Sequence, residues 1–228
     1  MKNITRALTA LGVLAALGAA PATRADTDHD GHHGRLYHVT VTNLTRGESF
    51  TPILSVVHRA HPDLLFTEGS AASTQLAALA EGGDTGPLST LLSGNADVAA
   101  TDTAPGLLGP GQSVTFDVQA RGRFDRLSLA AMMVPTNDGF FSVQNLRLPW
   151  GHRSRVVTSP AYDAGTEPND ELCISIPGPT CGGQGPSPGA GGEGYVHIHG
   201  GIHGIGDLVP AQRDWRNPVA RVVITAGH

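Results

Sequence analysis

The chain is poor in the features that mark most enzymes and nucleic-acid binders. Charged residues make up 15% of its 228 positions and aromatics only 5%. No basic stripe is present to neutralise phosphates and the formal net charge is −5, which argues against a nucleic-acid partner. No H-E-x-x-H helix, G-x-S-x-G elbow or G-K-[ST] loop occurs, so zincin, serine-hydrolase and nucleotide-binding chemistry have no anchor. No linear EF-hand loop occurs either. No charge-free apolar run reaches the roughly 20 residues of a membrane span. Cysteine is limited to Cys173 and Cys181. They either close a small loop in an oxidising compartment, worth ~2–3 kcal/mol, or stand as two thiols.

Glycine, by contrast, is abundant, with 30 copies, and favours turns and short strands over long helices. Residues 1–25 read as a signal peptide: Lys2 and Arg6 precede the apolar Ala7–Ala20, and small residues follow. The alanine-rich leader suggests a prokaryotic source and export to the periplasm or cell exterior. Residues 26–35 are polar, rich in Asp and His, and expected to be disordered. One domain is expected over 36–228.

Alternation predicts strands at Tyr37–Leu44, Phe50–Val57, Ser113–Val118, Phe124–Val134, Phe140–Val143, Arg153–Val157, Tyr195–His199 and Val219–Thr225. Ser70–Glu81 is rich in helix formers and stopped by Gly82-Gly83; a shorter turn is expected over Pro87–Ser93. Both are read as a cover at one end of a sandwich, apart from any site. Residues 178–194 carry almost no apolar side chains and read as a mobile loop.

Two stretches carry chemistry. In the first, Asp138 and Asp163 sit in acidic, Gly-containing turns on either side of a strand-rich segment, a pattern shared by ion sites and by ordinary turns. In the second, Val196-His-Ile-His-Gly-Gly-Ile-His203, strand geometry puts His197 and His199 on one face, and the Gly-Gly turn can bring back His203. His58 and His61 are further candidate ligands, and Asp207 a carboxylate ligand or supporting partner. Imidazoles point to copper or zinc, or to plain hydrogen bonding within loops. Met132 and Met133 would suit Cu(I) but fit a core better. A metallohydrolase using His197, His199 and His203, with Glu193 or Asp207 as base, is the weakest reading, and no enzyme is expected.

Met132-Met-Val-Pro-Thr-Asn-Asp-Gly-Phe-Phe-Ser-Val143, followed by Tyr162-Asp-Ala-Gly-Thr-Glu167, resembles the N-terminal domain of the spondins, F-spondin and mindin, over roughly Leu36 to Ala226. That family pairs a V-P-S-P-D-W turn with a D-A-G-T-D turn. Here Thr136-Asn137 replaces Ser-Pro, Gly139 replaces Trp, and Glu167 replaces the second Asp. The resemblance implies an all-β, antiparallel, C2-like sandwich with one or two short helices and a calcium ion held between loops. Asp138 and Asp163 fall on two of its acidic ligands, and Asp117 is the approximate candidate for a third. It further implies an exported module that binds a matrix, cell-surface or periplasmic partner; the alternative is a periplasmic copper- or zinc-binding protein.

Overall fold

The computed structural model describes residues 34–187 and 191–227. The expected signal peptide and nearly all of the His/Asp-rich tail lie outside them. Eleven strands form two antiparallel sheets among the described residues, as the sandwich expectation requires. The first sheet has four strands in the order β5 (Ser113–Ala120), β1 (Arg35–Asn43), β11 (Ala220–Ala226) and β8 (Ser154–Ser159). The second runs β10 (His197–Ile198), β9 (Ala161–Asp163), β7 (Gly139–Arg147), β6 (Arg126–Val134), β3 (Ile53–His58) and β4 (Val98–Ala104). A short β2 (Ser49–Phe50) is added beside β6.

The burial patterns explain this layering. β1 and β5 alternate, burying Tyr37, Val39, Val41 and Val118 on the inner face and leaving Thr115 and Asp117 outside. β3 and β6 do not alternate: all six residues of β3 are buried, and eight of nine in β6. Such runs need cover on both faces. One face joins the inter-sheet core with Phe50, Leu127, Leu129, Met133 and Phe141. The other packs Leu54, Val56, Ala130 and Phe140 under the helices α1 (Thr74–Gly82) and α2 (Gly86–Ser93) through Leu76, Leu79, Leu88 and Leu92. The helices therefore form a third layer on a sheet face, not a cover at the sandwich end. Met132 and Met133 are fully buried core residues.

Helix α1 starts later than its composition suggests because Ser73 caps it, accepting from the Leu76 N–H at 3.1 Å. It stops at Gly83, whose φ of 67° is left-handed. β4 has no sequence signature: Val98-Ala-Ala-Thr-Asp-Thr-Ala is a part-exposed edge with no large apolar alternation. The remaining helical segments are a 3₁₀ turn at Cys173–Ser175 and α3 (Pro210–Arg213). Cys173 and Cys181 form a disulfide.

The segment expected to be a mobile loop is tied down over its described parts. Gly183 and Gln184 donate to Ile176 and Ile174 carbonyls, Ser187 donates to Glu81 Oε2, and Gly194 donates to the Gly165 carbonyl.

Candidate metal centre at the loop end

The site is built where β6, β7, β9 and β10 end. The turn after β6 ends at Asp138, and Gly139 pairs across to Asp163, which in turn pairs with His197. Three neighbouring strands thus set Asp138, Asp163 and His197 side by side. Asp138 organises the second turn: its Oδ2 accepts from Thr166 N at 2.7 Å, Thr166 Oγ1 at 3.1 Å and Glu167 N at 3.1 Å. Asp163 Oδ1 accepts from Gly165 N at 2.7 Å, and its Oδ2 from Asn169 Nδ2 at 2.7 Å. Gly165 has a φ of 67°, and a Cβ there would lie 2.3 Å from the Tyr195 carbonyl, so only glycine lets the histidine strand close against this turn.

Charge is concentrated here without compensation. Asp138, Asp163 and Glu167 are each 0% exposed. Asp138 Oδ1 and both carboxyl oxygens of Glu167 are buried without any hydrogen-bond partner. Burial, reinforced by the neighbouring Asp163, pushes the Asp138 carboxyl up to about 7. Burial also raises Asp163. Glu167 is raised to about 7 by burial, with Glu81 and Asp138 pushing the same way. Ser187 lies close enough to temper that shift, although its N–H is committed to Glu81 Oε2 at 3.2 Å. Orphaned buried carboxylate oxygens are costly and rare; Glu48 carries two more outside this cluster, and here, where several carboxyls converge, a cation would relieve them together. The donors are hard oxygens, which fits calcium.

The histidines line the other side of Asp163. His197 Nδ1 lies 4.0 Å from Asp163 Oδ1, His197 Nε2 lies 4.0 Å from Glu193 Oε2, and His199 Nε2 lies 3.9 Å from Asp163 Oδ2. Asp163, Glu193 and His197 form a group whose ligand atoms converge within 4.8 Å. The Nε2 of His199 and the Nδ1 of His197 are buried without partners. Burial, with His197 and His203 adding to it, lowers His199 to about 4 and keeps its ring neutral, the form that ligates metal. His199 Nδ1 accepts from Gly201 N at 3.0 Å, which leaves Nε2 facing the acid.

His197 and His199 therefore share a face toward Asp163, while His203 is exposed on the adjoining loop. Glu171 clamps that loop by accepting from the backbone N–H groups of His203, Gly204 and Ile205. Asp207 Oδ2 accepts from Cys173 N and braces the disulfide loop.

Three candidates lie elsewhere. Asp117 is on the outer face of the four-stranded sheet, where strand alternation puts it, and bonds His38 Nδ1 at 2.5 Å. His58 stands at the far end of β3, opposite Arg126, with its ring nitrogens on the Arg59 carbonyl and Ser128 Oγ. His61 follows it there, its backbone N–H bonded to Asn145 Oδ1. What sequence reasoning left out is Glu167 and Glu81 as members of the cluster, and Glu193 as a ligand candidate. Glu167 had a visible signal, since it occupies the second acidic position of the turn motif. Glu81 arrives on α1, which contradicts the expectation that the helix stands apart from the site.

No curated protein matches the chain. A family model described as Spondin_N matches residues 33–171, which include both acidic turns and stop short of the disulfide loop, the histidine run and the closing strand. With more than half of its length matched, and with the sandwich and paired acidic turns in place, the chain belongs to the Spondin_N family.

Proposed function

We propose that the protein is an exported binding module whose loop end is fixed by a calcium ion. Asp138, Asp163 and Glu167 would supply the carboxylate oxygens. The observation that carries this reading is the set of buried, unpartnered oxygens on Asp138 and Glu167. Fixing these loops has a consequence for recognition. Leu172, Ile174 and Ile205 are 42%, 75% and 69% exposed, and they emerge from segments that Glu171 ties together. Exposed apolar side chains on tethered segments beside this site suit a protein partner, whether matrix, cell surface or periplasmic. Export is supported by the disulfide.

A second reading, a copper- or zinc-binding role, is favoured by the convergence of Asp163, Glu193 and His197 and by the orphaned Nε2 of His199. Calorimetric titration of the purified protein separates the two. Calcium binding at one ion per chain that is lost in Asp138→Asn and kept in His197→Ala/His199→Ala supports the calcium reading. Zinc or copper binding that is lost only in the double histidine variant supports the second. No uptake of calcium by the wild type overturns the first.

A further inference from the structure

β6 and β7 are joined by the first acidic turn at one end and carry arginines at the other. Arg126 and Arg147 face each other across the strands, about 26 Å from Val134 for a nine-residue strand. Like charges directly opposite are unfavourable, and Asp125 offsets them, at 3.7 Å from Arg126 and 3.4 Å from Arg147. Further arginines come from parts of the chain far apart in sequence. Arg35 begins β1, Arg121 follows β5, and Arg153 and Arg155 bracket the start of β8. Together they border two adjoining cavities. The first, ≈160 Å³, is lined by Arg35, Arg121, Phe124 and Trp150 among others. The second, ≈370 Å³, is lined by Arg147, Trp150, Arg153 and Arg155. Trp150 and Leu148 are common to both. Asp125 is the one acidic side chain on either wall, so five lining arginines meet a single carboxylate.

We infer that this groove binds a polyanionic polysaccharide. Gathering exposed cations contributes nothing to folding, because they repel one another. Every one of these cations is a guanidinium, since the only lysine in the chain is Lys2. A guanidinium fork matches the paired oxygens of a carboxylate or sulfate. Trp150 is 66% exposed, with the Arg35 guanidinium 5.6 Å from its ring centroid. It offers a flat apolar face for a sugar ring beside a charge for its substituent. Two joined cavities suit repeating charged units rather than one small anion. Single-stranded nucleic acid would call for a row of stacking aromatics. A lipid surface would call for several protruding apolar side chains, and Trp150 is the one large exposed hydrophobic residue lining these cavities.

The test uses the full protein and size-defined heparin fragments as the probe, with affinity measured at low and high salt. Binding that weakens at least tenfold between about 50 and 300 mM salt is expected, because the contacts are exposed charges. Arg153→Ser/Arg155→Ser should lose at least tenfold in affinity. Arg216→Ser/Arg221→Ser removes the same charge elsewhere and should lose less than twofold, with melting curves showing both variants folded. Chelator should leave heparin binding unchanged, which keeps this test separate from the calcium reading. Equal losses in the two variants, no binding, or equally tight binding of duplex DNA or anionic vesicles with the same dependence on Arg153 and Arg155 would overturn the proposal.

Discussion

The two ends of β6 and β7 handle charge in opposite ways. At the loop end, Asp138, Asp163 and Glu167 are fully buried and crowded, with Asp138 Oδ1 and both Glu167 oxygens unpartnered, while the neutral imidazole of His199 stands close by. At the other end, the arginines are largely exposed around a single Asp125. Burial makes the difference in consequence. Exposed like charges are screened and cost little, so the arginine end is stable as it stands and available to a ligand. Buried like charges cannot be screened, so the acidic end costs stability that the proposed cation would relieve. A net charge of −5 conceals this separation, because the sum says nothing about position.

Several substitutions sharpen that contrast. The largest effect is expected in the helix layer that delivers Glu81 to the acidic end. Leu79→Ala removes a fully buried side chain and should cost about 2–5 kcal/mol in denaturant unfolding, with calcium affinity reduced as well. Val222→Ala in the inter-sheet core should lower stability without changing calcium affinity. Equal effects of both on calcium binding would show that the helix does not support the site.

Glu48 separates burial from crowding. It is 0% exposed, and burial raises it to about 8 against the pull of Arg213. A carboxyl raised on folding favours the native state while protonated, so stability falls as pH rises between about 4.5 and 8. Glu48→Gln should be close to wild type at the acid limit and more stable at pH 8 by on the order of 4 kcal/mol. Because Glu48 stands outside the acidic cluster of Asp138, Asp163 and Glu167, calcium should not alter that difference. Urea melts across the pH range, with and without calcium, measure it. The smallest stability effect is expected at the arginine end. Asp125→Asn should change stability by less than about 1 kcal/mol, since its ion pairs are part-exposed. It should nevertheless tighten heparin binding severalfold; unchanged affinity would place the polyanion elsewhere.

The sequence was most informative where periodicity and turn chemistry are local. β1, β5 and β11 follow from alternation, and α1 from its helix formers and Gly83 stop. The shared face of His197 and His199 was legible from strand geometry, whereas the turns of Asp138 and Asp163 read equally as ordinary turns and only the family resemblance marked them as ligand candidates. Glu81 and Glu193 were not, because helix packing and the fold of the Gly-rich segment bring them in from far along the chain. Asp117 was misplaced for a related reason: alternation gives its face, but only the sheet order shows that this face belongs to the opposite sheet. The arginine groove was invisible for want of any run, since its members come from four separate segments. Their gathering follows from the pairing of β1, β5 and β8 within one sheet and the packing of that sheet against the end of β7.

Whether a cation relieves the buried acids can be measured on the intact protein. Thermal melting of the full protein, after exhaustive chelation and again with calcium at about a hundred times its dissociation constant, measures this directly. Occupancy at that level should stabilise the fold by about 2.7 kcal/mol, a rise of roughly 5–10 °C in Tm for a domain of this size. Asp138→Asn should abolish the rise while melting no lower than the chelated wild type. A wild-type Tm indifferent to calcium, or a calcium-induced rise that survives in Asp138→Asn, would mean that no calcium ion sits on these acids.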